Sequence, residues 1–214
     1  RGVAYKNSGD YKSAISDYNK VIGLNPDDAG AYNNRGNAYD DLGDYSNAIS
    51  DYNKAIELNP DYVDAYINRG VAYKNSGDYK SAISDYNKAI ELKPDYAEAF
   101  YNLGNVYNDL GDYKSAISDY NKAIELKPDY ADAYINRGNV YNDLGDYKSA
   151  ISDYNKAIDL KSDYAEAFYN RGVVYVKLGD YKSAISDYNK AIELKPDYAE
   201  AFYNRGVVYV KLGD

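Results

Sequence analysis

Asparagine recurs at Asn34, Asn68, Asn102, Asn136, Asn170 and Asn204, once every 34 residues. A carboxamide offers two N–H donors and an acceptor oxygen, so a row of them can match the donor and acceptor of successive peptide groups. Each such bond contributes about 0.5–1.5 kcal/mol net, so recognition through amides needs several in line. A second series, Arg35, Arg69, Arg137, Arg171 and Arg205, follows the asparagines directly. A guanidinium is a rigid planar fork that suits carboxylates. Asp51, Asp85, Asp153 and Asp187 lie 16 residues beyond the first four arginines. Pairing of each Arg with that Asp is the expected arrangement, and an Arg turned towards a ligand is the alternative.

Chemistry beyond binding is hard to assemble from these residues. The 214-residue chain has no Cys, His, Met or Trp. That removes a Ser-His-Asp triad, a Cys nucleophile, disulfides and thiolate zinc sites. No glycine-rich loop has phosphate-binding spacing, and Asp40, Asp41 and Asp44 do not fit a calcium loop. No catalytic residue, metal or cofactor is expected, and the chain reads as a non-enzyme. Its net charge of -9 opposes binding to a phosphate backbone or an anionic membrane and favours solubility. No apolar run approaches the ~18 residues of a membrane span, and no signal peptide is visible. The sequence opens inside a repeat, so a native N-terminus upstream is expected. The location expected is cytoplasmic.

The element that must position these side chains is read from the period. Pro26, Pro60, Pro94 and Pro128 are spaced by 34 residues, Pro196 lies two periods further on, and Ser162 fills the slot between. Units of that length run 29–62, 63–96, 97–130, 131–164 and 165–198, preceded by a partial unit 1–28 and followed by the opening helix of another, 199–214. Within 97–130, Phe100, Leu103, Tyr107 and Leu110 share one face of a helix. Gly111-Asp112 breaks that helix, with Asp112 as the N-cap of the next. Ala116, Ile117, Tyr120, Ala123, Ile124 and Leu126 form the second apolar face, and Pro128 stops it. Asp129 is expected to cap the following helix. Gly104 costs ~1 kcal/mol inside a helix, which implies a close helix–helix approach, with Ala116 and Ala123 expected opposite. A single hairpin cannot bury its apolar face, so neighbouring units must share a core. Residues 1–20 repeat as 69–88 and residues 165–180 as 199–214, which points to recent duplication.

Phe100, Leu103, Gly104, Tyr107, Ala116, Tyr120, Ala123 and Pro128 together resemble the tetratricopeptide repeat signature, and the resemblance runs the length of the chain. The arginine series departs from it by replacing a usual Leu. The resemblance implies an all-α fold, a right-handed superhelical α-solenoid, in which the first helix of each unit lines a concave groove that takes a peptide or helix of a partner protein. Mapped in this way, the groove includes the six asparagines of the series with Asn37, Asn105 and Asn139. It also includes Tyr101 and an apolar strip of Tyr169, Val173 and Val176, then Tyr203, Val207 and Val210. The asparagines then resemble a ladder that holds an extended backbone, against the alternative that they bond within the array. The fifth position of each unit, Asn33, Ile67, Tyr101, Ile135, Tyr169 or Tyr203, is never Lys, so a clamp for a terminal carboxylate is not expected. Asp64, Glu98, Asp132, Glu166 and Glu200 disfavour an acidic peptide, and each can also close a capping box. The partner expected is a protein or peptide, with no nucleic acid and no membrane. Two rival uses are end-to-end self-assembly through uncapped repeat ends and service as the targeting arm of a larger enzyme.

Overall fold

The computed structural model describes residues 10–213, so the first nine residues of the partial unit and residue 214 lie outside it. The described residues form twelve helices and no strand. In chain order these are α1 (Tyr11–Leu24), α2 (Ala29–Asp41), α3 (Tyr45–Leu58), α4 (Val63–Asn75), α5 (Tyr79–Leu92) and α6 (Ala97–Asp109), followed by α7 (Tyr113–Leu126), α8 (Ala131–Asp143), α9 (Tyr147–Leu160), α10 (Ala165–Lys177), α11 (Tyr181–Leu194) and α12 (Ala199–Leu212). The described residues group into two compact units that divide between residues 106 and 107.

The second helix of each hairpin starts where the sequence places it. Asp112 accepts the backbone N–H of Ser115 at 3.2 Å, and Asp146 that of Ser149 at 3.1 Å. This satisfies a backbone donor that the helix itself cannot. Hydrogen bonds from the side chain and then the backbone of Ser149 pull the Asp146 carboxyl below its ordinary pKa. The preceding helix α8 is closed by Gly145, whose φ of 79° lies in the left-handed region that glycine enters without strain. There the N–H of Asp146 reaches back to the Tyr141 carbonyl at 2.8 Å.

The start of the first helices differs from expectation. The residue at the N-cap of α8 is Tyr130, not Asp129, and it makes no side-chain cap bond. A turn closed from the Tyr130 N–H to the Lys127 carbonyl at 3.1 Å carries Asp129 at its corner, ahead of the helix. Lys127 Nζ sits 4.7 Å from the centre of the Tyr130 ring, a cation–π contact across that turn. Asp28 does cap α2 with its side chain, to the Ala31 N–H at 3.0 Å, whereas the tyrosines at the starts of α4, α8, α10 and α12 make no such bond. Leu110, expected on the apolar face, is half exposed because it lies past the end of α6.

The core is built on tyrosine. Tyr52, Tyr86, Tyr154 and Tyr188 are each at most 1 % exposed. Each ring lies against a glycine of the first helix in its hairpin. A Cβ built on Gly36, Gly70, Gly138 or Gly172 would stand 2.7, 2.6, 2.8 and 2.8 Å from the respective ring. The close approach inferred from glycine is therefore real at these four positions, but an aromatic ring fills it and not a small alanine. The ring supplies the buried area that a short hairpin lacks. Its hydroxyl then needs a partner: Tyr52 and Tyr154 donate to the Oδ1 of Asn37 and Asn139, both at 2.8 Å. Tyr86, whose unit has Val71 at that position, leaves its hydroxyl buried without a partner among the described residues.

Candidate functional site: an amide-lined recess and an open apolar helix

In the first compact unit the leading turns of α2, α4 and α6 line a recess of roughly 350 Å³. Its walls are Asn33, Asn34 and Asn37 from α2, Asp64, Ile67 and Asn68 from α4, and Glu98 from α6, with Tyr62 and Tyr96 from the turns before the helices. The three helices start in register because each follows a proline turn at the same point of the period. Asn68 Nδ2 donates to Asn33 Oδ1 at 3.0 Å, which fixes both amides. The Tyr96 hydroxyl lies 3.2 Å from Glu98 Oε2 and 3.4 Å from Asp64 Oδ1. One phenolic proton is thus shared by two carboxylates, so the pair retains acceptor capacity for a further donor. Burial first, then the charges of Glu98 and Asp64, hold the Tyr96 hydroxyl in its protonated form. A second hollow of roughly 180 Å³ adjoins it through the shared Asn37 and Asn68, with Asp40, Asp41, Tyr52 and Val71 completing its wall. Together these groups offer amide hydrogen bonds beside negative charge, which suits a peptide backbone carrying an ammonium or guanidinium.

The asparagine series does not behave as one row. Asn34 and Asn68 line the recess. Tyr101, Asn102, Asn105 and Asn136 are half-buried. Asn170 donates to Asn139 Oδ1 at 3.1 Å, and Asn204 donates to the Tyr169 hydroxyl at 2.9 Å. Together with the Asn68–Asn33 bond, three members therefore use one amide N–H within the array. The apolar strip divides as well. Tyr169, Val173 and Val176 are half-buried against the cluster formed by Ala184 and Tyr188 of α11 and Val208 of α12. Tyr203, Val207 and Val210 are 73, 37 and 78 % exposed. They form, with Phe202, Gly206 and Lys211, an open apolar surface enclosing roughly 620 Å³.

The arginine series is structural. Arg35 Nε and Nη2 bind the two carboxylate oxygens of Asp51 at 2.7 and 2.6 Å. The same fork joins Arg69 to Asp85, Arg137 to Asp153 and Arg171 to Asp187. Sequence reasoning missed the third partner. Nη1 of Arg35, Arg69, Arg137 and Arg171 reaches Oδ1 of Asn19, Asn53, Asn121 and Asn155. Each of these stands 16 residues before its Arg, as each Asp stands 16 after, and that symmetry was the available signal. One guanidinium therefore ties a hairpin together and also fastens it to the preceding one.

The third complete unit has Leu103 in place of Arg. Its aspartate, Asp119, is half-buried, and its carboxyl is pushed up to about 6, by desolvation and then by the charge of Asp112. Between the ordinary value of 3.8 and about 6, the native state holds a proton that the unfolded chain has lost. Stability attributable to this group therefore falls as pH rises through that window. Asp119→Asn is expected to raise stability at pH 7 by about 1 kcal/mol, after discounting for solvent screening. The gain should vanish below about pH 4. Urea unfolding of both proteins at pH 4 and pH 7 measures it, and an equal gain at both values would contradict the assignment.

Comparison with known proteins agrees with this architecture. A family profile described as TPR repeat matches residues 2–42, 36–77, 73–110, 104–145, 138–179 and 174–213. No curated protein gives a significant match. Among solved structures, the chain is similar to YrrB, described as a TPR protein with an unusual peptide-binding site, at 28 % identity and a TM-score of 0.66, covering 88 % of this chain and 97 % of that one. It is similar to MamA at 31 % identity and a TM-score of 0.68, covering 77 % and 96 %. A chain of the APC/C hetero-tetramer Cut9–Hcn1 shares the fold at 21 % identity and a TM-score of 0.80, covering 97 % of this chain and 41 % of that one. No helix among the described residues is long and apolar enough to cross a membrane. The 34-residue hairpin, its glycine–aromatic contact and the six consecutive profile matches place this chain in the tetratricopeptide repeat family, as an α-helical scaffold of the kind that serves protein–protein interaction.

Proposed function

We propose that the chain binds an extended segment of a partner protein on the first-helix face of residues 33–98, and that the segment carries a Lys or Arg side chain. The observation that carries this reading is the recess in which Asn33, Asn34, Asn37 and Asn68 stand beside Asp64 and Glu98. The amides supply bonds to the backbone at about 0.5–1.5 kcal/mol each. The carboxylates that share the Tyr96 hydroxyl supply a counter-charge for the side chain. The overall charge of -9 assists approach of a basic segment and repels an acidic one. The peptide-binding description of YrrB is in keeping with this use of a related scaffold.

A degenerate peptide library with one fixed position tests the reading. Peptides with Lys or Arg fixed should be retained, and those with Asp or Glu fixed should be lost. Asn34→Ala combined with Asn68→Ala should weaken a retained peptide by roughly 5- to 100-fold, the loss of two such bonds. Asp64→Asn combined with Glu98→Gln should remove the preference for a cation and the salt dependence that accompanies it. Enrichment of acidic peptides, or equal binding by the asparagine variant, would end the proposal.

A further inference from the structure

The recess and the hollow beside it have separate acidic walls. Asp64 and Glu98 are the second residues of their 34-residue units and stand in the recess. Asp40 and Asp41 are the twelfth and thirteenth of theirs and stand in the hollow of roughly 180 Å³. Ten positions along first helices that start in register put the two walls ~15 Å apart in the direction of the helix axes. Asn37 and Asn68, at the ninth and sixth positions, fall between the walls and line both chambers. Their remaining hydrogen-bonding atoms are complementary. Asn37 uses Oδ1 to accept from the Tyr52 hydroxyl and keeps its N–H donors, whereas Asn68 uses one N–H on Asn33 and keeps Oδ1 as an acceptor. The first suits a peptide carbonyl and the second a peptide N–H.

Two observations mark the hollow as a place for a cation. Asp40 and Asp41 are the last residues of α2, where the helix dipole opposes negative charge, so the helix itself gains nothing from them. Tyr86 is wholly buried and leaves its hydroxyl without a partner among the described residues, and the charge of Asp40 acts on that hydroxyl. A donor entering beside Asp40 thus gains a second acceptor. Lys74 stands one turn beyond Val71 on α4, but two carboxylates against one ammonium leave this wall negative. We infer that the hollow is a second cation subsite, so that the bound segment carries two basic residues next to each other in its sequence. The inference rests on the reading of the recess as a peptide site. An extended chain that crosses the first helices, held at Asn37 and Asn68, sends successive side chains to opposite sides. Neighbouring residues therefore reach one chamber each, whereas residues two apart compete for the same chamber.

Fluorescence anisotropy of the full chain with short labelled peptides of Ser, Thr and Gly is the test, at physiological salt. One peptide carries Arg at its central residue alone, a second at the central residue and the next, and a third at the central residue and the next but one. The adjacent pair should bind at least ~10-fold more tightly than the single Arg, the gain from one further charge-assisted contact. The spaced pair has the same charge but only a screened attraction to add, and it should stay within ~3-fold of the single Arg. Asp40→Asn combined with Asp41→Asn should bring the adjacent pair down to the level of the spaced pair, with the helical circular dichroism of the chain unchanged. Equal binding by the two pairs in the parent chain, or an adjacent-pair gain that survives the double variant, would overturn this inference alone. If no Arg peptide outbinds the same peptide with a central Glu, the reading of the recess falls as well.

Discussion

Arg137→Ala lowers the stability of the chain by about 3–5 kcal/mol at pH 7, far more than the loss of a surface ion pair. The reason lies in what remains. Asp153 is 5 % exposed, and its carboxylate loses both of its guanidinium bonds. Burial already pushes the Asp153 carboxyl above its ordinary value, against the pull of Arg137. Without Arg137 that push is unopposed. The native state then keeps a proton that the unfolded chain releases, so stability falls as pH rises above the ordinary carboxylate value. The deficit of Arg137→Ala should therefore grow between about pH 4 and pH 7 and be small near pH 3. Arg137→Met combined with Asp153→Leu should return to within ~1–2 kcal/mol of the parent, because a buried pair replaced by apolar groups leaves no charge unmatched. Urea midpoints of the three proteins across this pH range measure the effect. A pH-independent deficit, or a double variant as unstable as the single one, would show that the fork is not what holds these helices.

The same fork shows what could be read from the residues and what could not. Arg and Asp sit within one hairpin, so their constant separation announced the pair. The asparagine on the other side belongs to the preceding hairpin, and a 34-residue period read unit by unit hides a contact that crosses units. The unpartnered hydroxyl of Tyr86 has a similar origin: whether a tyrosine is satisfied depends on one residue of the facing helix, Asn37 and Asn139 in two units and Val71 in another. Position on the first helix does not tell how far later helices pack against the apolar strip. Tyr169, Val173 and Val176 are half-buried against side chains of α11 and α12, while Tyr203, Val207 and Val210 have the same spacing and stand open. The recess in residues 33–98 was legible only in part. Asn33, Asn34, Asn37 and Asn68 were singled out, with Asp64 and Glu98 near them, but the bond from Asn68 to Asn33 and the hydroxyl of Tyr96 between two carboxylates depend on packing that no periodicity conveys.

The glycine–tyrosine contact gives the second large effect. Tyr154→Ala removes a ring that is 1 % exposed and should cost about 3–5 kcal/mol, the transfer of the ring plus the cavity it leaves. Gly138→Ala acts from the opposite side. An alanine in a helix interior ordinarily adds ~1 kcal/mol of stability over glycine. Here its methyl would lie 2.8 Å from Tyr154 Cε1 and 3.3 Å from the Asp153 Cβ. The helix must separate from the ring or the ring must turn, and overpacking of this kind costs about 1–3 kcal/mol. A net loss is expected at Gly138 despite the gain in propensity. At Gly206, where nothing lies within 4 Å, the same substitution should stabilise the chain by up to ~1 kcal/mol. The combination of Gly138→Ala with Tyr154→Ala should be at least ~1 kcal/mol more stable than the sum of its parts, because the methyl then occupies space the ring has vacated. Chemical unfolding of the four proteins gives every term of the cycle. If Gly138→Ala proved as stabilising as Gly206→Ala, the ring would not be resting on that glycine.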